Sequence, residues 1–252
     1  MHLLPKPVIY IICEFLSNTD VANLRLVSKR FKNCPFYHLH KDVSQEILDK
    51  NLHLRTLSVY GARNLDNHRH LVQLNVYDTI EFKLPIVRSL SLNNSFFDSA
   101  EADKVIIRKG YINKITSDKT TINRVLTSID TIRCRHVIFK NSHTVVRHLE
   151  AEKITVINSI LVQDISAKHI VLKKNIYKHL RIVDPCEKLT IKSVMFTEDL
   201  LAILPRTIKF LVLVSCDFDE AIDMSDFKIS NFRIKHCQNC VMKNLKLCHS
   251  MH

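Results

Sequence analysis

One nine-residue pattern recurs through most of this chain and limits what it can fold into. It reads LRTLSVYGA from Leu54, LVQLNVYDT from Leu71, VRSLSLNNS from Val87 and CRHVIFKNS from Cys134. It continues as AEKITVINS from Ala151, AKHIVLKKN from Ala167, CEKLTIKSV from Cys186, IKFLVLVSC from Ile208 and ISNFRIKHC from Ile229. Positions one, four and six are apolar or small. Alternate residues of a strand face opposite sides, so positions four and six point one way and five and seven the other. A single turn of this kind cannot bury its apolar face, whereas stacked turns share one continuous column. The pattern predicts a solenoid of parallel strands.

The windows start 17, 16, 47, 17, 16, 19, 22 and 21 residues apart. The long gap has room for further turns. ADKVIIRKG from Ala102 is one candidate, and TTINRVLTSI reads as more helical. A 16-residue turn leaves little space for a returning helix, so extended return segments are expected in the middle. A short capped helix is expected over Glu198–Leu204, stopped by Pro205.

The windows resemble the leucine-rich repeat segment, leucine-x-x-leucine-x-leucine-x-x-asparagine or cysteine. That resemblance implies that position nine, filled by Ser95, Ser142, Ser159, Asn175, Cys216 and Cys237, satisfies backbone groups of the neighbouring turn. Several intervals are shorter than the about 20–29 residues usual for such repeats.

The N-terminal segment is different. VIYIIC is an apolar run near the chain start. A signal peptide needs an unbroken core and a small-residue cleavage site, and Glu14 interrupts this one. A membrane span needs about 20 apolar residues, and Asp20, Arg25, Lys29 and Arg30 arrive too soon. Short helices fit better. Pro5 and Pro7 suit a first helical turn. Val8, Ile12 and Phe15 form one stripe, and Ile9, Ile12 and Leu16 another. Ser17 with Asp20 is a capping pair for a second helix, along which Val21, Leu24, Val27 and Phe31 recur. About thirty residues cannot bury that much apolar surface alone, so this segment must dock on something.

Leu4-Pro5, then Ile9, Ile12, Leu16, Asp20, Val21, Leu24 and the run from Leu26 to Phe31 resemble the F-box motif. The departures are Pro7, where the family often has glutamate, and Phe31, where it often has tryptophan. The resemblance implies a three-helix module that packs on a Skp-type adaptor and, through it, a cullin scaffold of a ubiquitin ligase. It marks Leu4, Pro5, Ile9, Ile12, Leu16, Leu24 and Val27 as adaptor-facing or as the module's own core, without separating the two. LPRTIKFLVLVSCDFDEAI is similar to the irregular, FNIP-type repeats that accompany F-boxes in amoebae and their large viruses.

Composition narrows the chemistry. The formal net charge is +12, which favours an acidic partner of some kind. Two glycines, Gly61 and Gly110, cannot build a phosphate-binding loop. The eight cysteines lack the spacing of a disulfide scaffold and read as reduced thiols. Cys237-x-x-Cys240 has zinc-ligand spacing, but Cys248 and His249 are poorly placed to complete it. Cys237 is already explained by position nine, and no metal is expected. The acidic run with Asp217, Asp219, Glu220, Asp223 and Asp226 reads as a solvated loop. His136, His143 and His148 cluster only in sequence. No catalytic constellation or cofactor site emerges, so no enzyme activity is expected. Binding of single-stranded nucleic acid would need exposed aromatics among the cations, and most aromatics fall elsewhere.

Position seven of the repeat places Tyr60 and Tyr77 at one end of the outward strand face and Lys140, Lys173, Lys192 and Lys235 further on. Arg233 joins them from position five. This face is the expected site for a target protein with an acidic element. The expected architecture is α+β: an all-helical F-box over 1–44, then a right-handed leucine-rich-repeat-like solenoid with a parallel β-sheet over 50–252. The expected role is a non-catalytic, cytoplasmic or nuclear substrate receptor of a ubiquitin ligase. The alternative is a repeat protein whose basic surface binds nucleic acid or another assembly. No membrane is expected.

Overall fold

The computed structural model describes residues 8, 12–13, 16–27, 38–39, 44–161, 163–176, 180–183, 186–218 and 220–244. The chain divides into two compact units, Met1–Phe97 and Asp98–His252. Each unit is a solenoid of stacked parallel strands, with about ten turns in the two together.

In the first unit the order is α1 (Asn18–Val27), β1 (His38–Leu39), α2 (Gln45–Lys50), β2 (Thr56–Tyr60), β3 (Gln73–Tyr77) and the start of β4 (Val87–Asn123). Helix α1 begins as its sequence predicts: Ser17 Oγ donates to Asp20 Oδ2 at 2.6 Å and accepts the Asp20 N–H at 3.2 Å. Helix α2 buries Leu48 and is clipped to the loop after β2 by Gln45. The Gln45 amide donates to the Asn64 carbonyl at 2.9 Å and accepts the Asn64 N–H at 3.1 Å. In β2, β3 and β4, Leu57, Leu74 and Leu90 lie in register, as do Val59, Val76 and Leu92. All six are buried.

The second unit continues β4 and adds β5 (Leu126–Lys140), β6 (His143–Leu161), β7 (Gln163–Ile165), β8 (His169–Ile176), β9 (Leu180–Ile182) and β10 (Cys186–Lys192). Then come β11 (Met195–Phe196), α3 (Glu198–Ala202), β12 (Thr207–Val214), β13 (Asp217–Phe218), β14 (Ile222–Asp223), β15 (Lys228–Lys235) and β16 (Met242–Lys243). Its main sheet runs β4-β5-β6-β8-β10-β12-β15, parallel throughout. Positions four and six form two core columns. One begins Val137, Ile154, Ile170, Leu189 and Leu211; the other begins Phe139, Val156, Leu172, Ile191 and Leu213. Every one of these is buried. Each contributes about 1.5–3 kcal/mol of burial, and stacking neighbours makes that contribution available to every turn.

The return legs supply a second apolar wall. Ile112, Ile115, Ile129 and Ile132 are buried there. Further along, β7 pairs β9, and β11 pairs β13 with Phe196 and Phe218 stacked at 5.0 Å. The fold is therefore more extended than an α+β architecture: strand makes up 61% of it, with three short helices among the described residues. The short repeat interval is the reason, because it cannot accommodate a returning helix. Only after the longer interval does one appear. In α3, Thr197 Oγ1 accepts the Leu200 N–H at 3.4 Å and Pro205 follows, as expected from the sequence.

The gap between the third and fourth windows also holds strand. Val105 and Ile107 are buried, making ADKVIIRKG a turn. TTINRVLTSI is not helical: it lies on the end of β4, a bend and the start of β5. A further turn starts at Ser117, which pairs with Cys134. Its position four is Thr120, fully buried, whose hydroxyl lies 2.7 Å from Ser117 Oγ. The polar side chain is satisfied locally and so fills a core position.

The turns share a corner. Position eight is left-handed in every one, from φ 45° at Asn158 to 73° at Gly61. Asp78, Asn94 and Asn141 suit that conformation; Lys109, Arg124 and Lys174 adopt it without such help. Position nine closes the corner. Ser159 Oγ donates to the Ile157 carbonyl at 2.8 Å and accepts the Ser142 N–H at 3.1 Å. Ser142 repeats this toward Lys140 O and the Val125 N–H, and Ser95 toward Asn93 O and the Thr79 N–H. Cys216 and Cys237 use sulfur in the same way, with Cys237 Sγ accepting the Cys216 N–H at 3.4 Å. The expected role of position nine holds for these residues; the Asn175 side chain lies outside the described residues.

Candidate functional site

Three surfaces carry the residues of interest. The first is the N-terminal helical segment. Cys13 and Val21 are buried, whereas Val8 and Ile12 are exposed and Leu26 is 86% exposed. Leu16 and Leu24 are half-buried. Leu4, Pro5 and Ile9 lie outside the described residues, as does the side chain of Val27. Leu26 is thus an apolar side chain on α1 with water around it, a position the amphipathic spacing alone did not single out. Burial of the other face of α1 through Val21 explains it.

The second surface is the outward sheet face of the first unit. Tyr60 and Tyr77 pair in register and stack, with ring centroids 4.7 Å apart and planes 13° apart. Beside them a polar row runs Ser58, Asn75, Ser91. Asn75 Nδ2 donates to Ser58 Oγ at 3.2 Å, and Ser58 and Ser91 are buried although they sit on the outward side.

The third is the outward face of the second unit. At position seven the register runs Asn123, Lys140, Ile157, Lys173, Lys192, Val214, Lys235. At position five it runs Thr121, Ile138, Thr155, Val171, Thr190, Val212, Arg233. The structure so brings together Lys140, Lys173, Lys192 and Lys235 in one row, with Arg233 in the adjacent one. Position three supplies a further row that positions five and seven do not reveal: Lys119, His136, Lys153, His169, Lys188. Strand alternation was the available signal, since position three shares the face of positions five and seven. His136 Nε2 lies 3.0 Å from Thr155 Oγ1. Burial, and then the Lys153 and Lys119 ammonium groups on either side, push its imidazole below the usual range.

Residues 1–35 match the F-box domain. No curated protein and no solved structure matches the chain. The F-box match covers Leu4, Pro5, Ile9, Ile12, Leu16, Leu24 and Val27, together with the exposed Leu26. Outside the F-box, the ion pairs of the second unit occupy other positions. Arg133 pairs with Glu150, Arg135 with Asp118, Arg147 with Asp130 and Arg206 with Asp226.

The remaining candidates separate. Cys237 belongs to the position-nine corner, and Cys240 is half-buried with its thiol pushed up by burial and by Cys237. Cys248 and His249 lie outside the described residues, among which no three His, Cys, Asp or Glu side chains converge on a metal position. Burial also pushes the Cys216 thiol up, which keeps it protonated to donate to Val214 and Ile191 carbonyls. In the acidic run, Asp223 accepts the Ser225 N–H at 2.9 Å and an Asn244 amide bond at 3.1 Å, which hold its carboxyl below the usual range. Asp226 pairs with Arg206, and Asp219 lies outside the described residues. His143 and His148 are exposed, at different positions along β6 from the turn that presents His136. Among the described residues no helix is long and apolar enough to cross a membrane.

Proposed function

We propose that this chain is the substrate receptor of a Skp-cullin-F-box ubiquitin ligase. The F-box match at residues 1–35 carries the reading. The F-box would dock a Skp-type adaptor through Leu4, Pro5, Ile9, Ile12, Leu16, Leu24 and Val27, with Leu26 adding exposed apolar area. The adaptor would tether the chain to a cullin scaffold. The solenoid would hold a target protein on its outward faces. Such a receptor works by proximity: it raises the local concentration of the target's lysines at the conjugating enzyme and supplies no nucleophile itself. This reading places the chain in the cytoplasm or nucleus, where that machinery operates.

The experiment is a pull-down of wild-type chain and of the Leu4→Ala, Pro5→Ala double variant, probed for a Skp-type adaptor. Capture by wild type and loss in the double variant is the expected result. Absence of the adaptor from the wild-type sample refutes the proposal.

A further inference from the structure

The second unit presents two cationic rows with a gutter between them that is uncharged from Thr121 to Val212 and ends at Arg233. Lys119, Lys153 and Lys188 stand at position three, with His136 and His169 between them in register. Lys140, Lys173, Lys192 and Lys235 stand at position seven. Positions three and seven are four residues apart, so the rows lie about 13 Å from each other at about 3.3 Å per residue. The gutter alternates hydroxyls and branched apolar groups, as in Thr121, Ile138, Thr155 and Val171, all half-buried.

No acidic residue occupies position three, five or seven in this unit. The nearest carboxylates by sequence, Asp118, Glu152 and Glu187, all stand at position two, where Arg135 is drawn to the first two. Among the described residues, none of the row lysines has an ion-pair partner. Lys173 and Lys192 are directly opposite on neighbouring strands, about 4.8 Å apart in the sheet. Like charges so placed oppose folding, and a chain gains nothing internally from keeping them. An anionic partner would turn that repulsion into attraction.

We propose that this face binds an extended acidic segment of a polypeptide, laid along the gutter across successive strands. Side chains leave an extended peptide toward both of its edges, so carboxylates can reach both rows at once. The threonine hydroxyls can donate to its carbonyls, and the branched side chains give it apolar contact. Single-stranded nucleic acid fits less well. Its bases need aromatic platforms, and Phe210 is the one aromatic at positions three, five and seven of this unit among the described residues. The proposal names a target class for the receptor reading above and depends on that reading only for its biological use.

The test uses the full chain without adaptor, a fluorescent glutamate-rich peptide of about 12 residues and a single-stranded oligonucleotide of equal charge. Lys173→Glu and Lys188→Glu each alter one row. Reversing one charge at about 5 Å in water-like surroundings should weaken peptide binding about 10-fold. The double variant should weaken it about 100-fold, since the rows act on opposite edges. Lys114→Glu, on the exposed return leg, should leave binding unchanged. Circular dichroism and urea midpoints confirm folding; Lys173→Glu removes the repulsion with Lys192, and Lys188 stands between His169 and Phe210, so neither reversal breaks an ion pair. Equal losses from Lys114→Glu, absence of peptide binding, or tighter binding of the oligonucleotide overturns the proposal. Adaptor capture in the pull-down above, with no peptide binding here, would remove this proposal and leave the receptor reading standing.

Discussion

Ser159→Ala should destabilise the second unit by about 2–3 kcal/mol, because the two bonds that Ser159 makes are lost unequally. Its hydroxyl donates to the Ile157 carbonyl at 2.8 Å, but that carbonyl also accepts the Asn141 N–H at 3.0 Å and stays satisfied. Losing this bond costs a net of about 0.5–1.5 kcal/mol. The other bond matters more. Ser159 Oγ accepts the Ser142 N–H at 3.1 Å, and both residues are buried. Alanine leaves that N–H without an acceptor, at a cost of about 1–3 kcal/mol. In a domain of this size each kcal/mol moves the melting temperature about 2–4 °C, so a fall of about 4–12 °C is expected. Solenoids unfold in neighbour-coupled segments, so the amide exchange of Ser142 is the sharper readout and should accelerate. Ser159→Cys should lose less, since Cys216 and Cys237 fill the same position with longer sulfur bonds. A melting temperature within about 1 °C of wild type, with unchanged Ser142 exchange, would refute the reasoning.

Arg124→Gly and Lys174→Gly should each stabilise the chain by about 0.5–1 kcal/mol, read as a higher urea midpoint. Their left-handed backbone (φ 56° and 65°) costs an L-residue about 1–2 kcal/mol, which exceeds the roughly 0.5–1 kcal/mol entropic cost of glycine. Asn141→Gly should gain less, because Asn141 Oδ1 accepts from Asn158 at 3.0 Å. His68 is buried with neither ring nitrogen hydrogen-bonded among the described residues. Burial pushes its imidazole below the usual range, against a weaker upward pull from Asp49. The unfolded chain therefore takes the proton first, and stability should fall as pH drops below about 6.5, the unfolded value. His68→Leu should raise the urea midpoint and reduce its decline between pH 7.5 and 5.5; an unchanged slope would discount His68 as the cause.

Much of the fold was legible because its core is periodic. Leu57, Val59 and their successors fell on positions four and six, and each proved buried down to Leu213. The turn at Ser117 was hidden because Thr120 occupies a core position, and a buried hydroxyl is acceptable only once Ser117 is known to lie beside it. The left-handed corner could have been anticipated from Gly61, Asp78, Asn94, Asn141 and Asn158 at position eight. Lys109, Arg124 and Lys174 obscured it, since nothing in those residue types signals positive φ. His68 gave no sign of burial, because it sits in a loop without periodicity.

The amino-acid order alone determined the F-box motif, the repeat, its inward columns and the shortness of its returns. Those follow from which residues are apolar and how far apart they stand. Tertiary structure alone completed the charged row at position three, because Lys119 belongs to a turn the windows did not show. Lys119, Lys153 and Lys188 are far apart in a chain whose cations look scattered, and strand register sets them in one row. Register arises from the stacking of every turn on its neighbour, so no single window contains it.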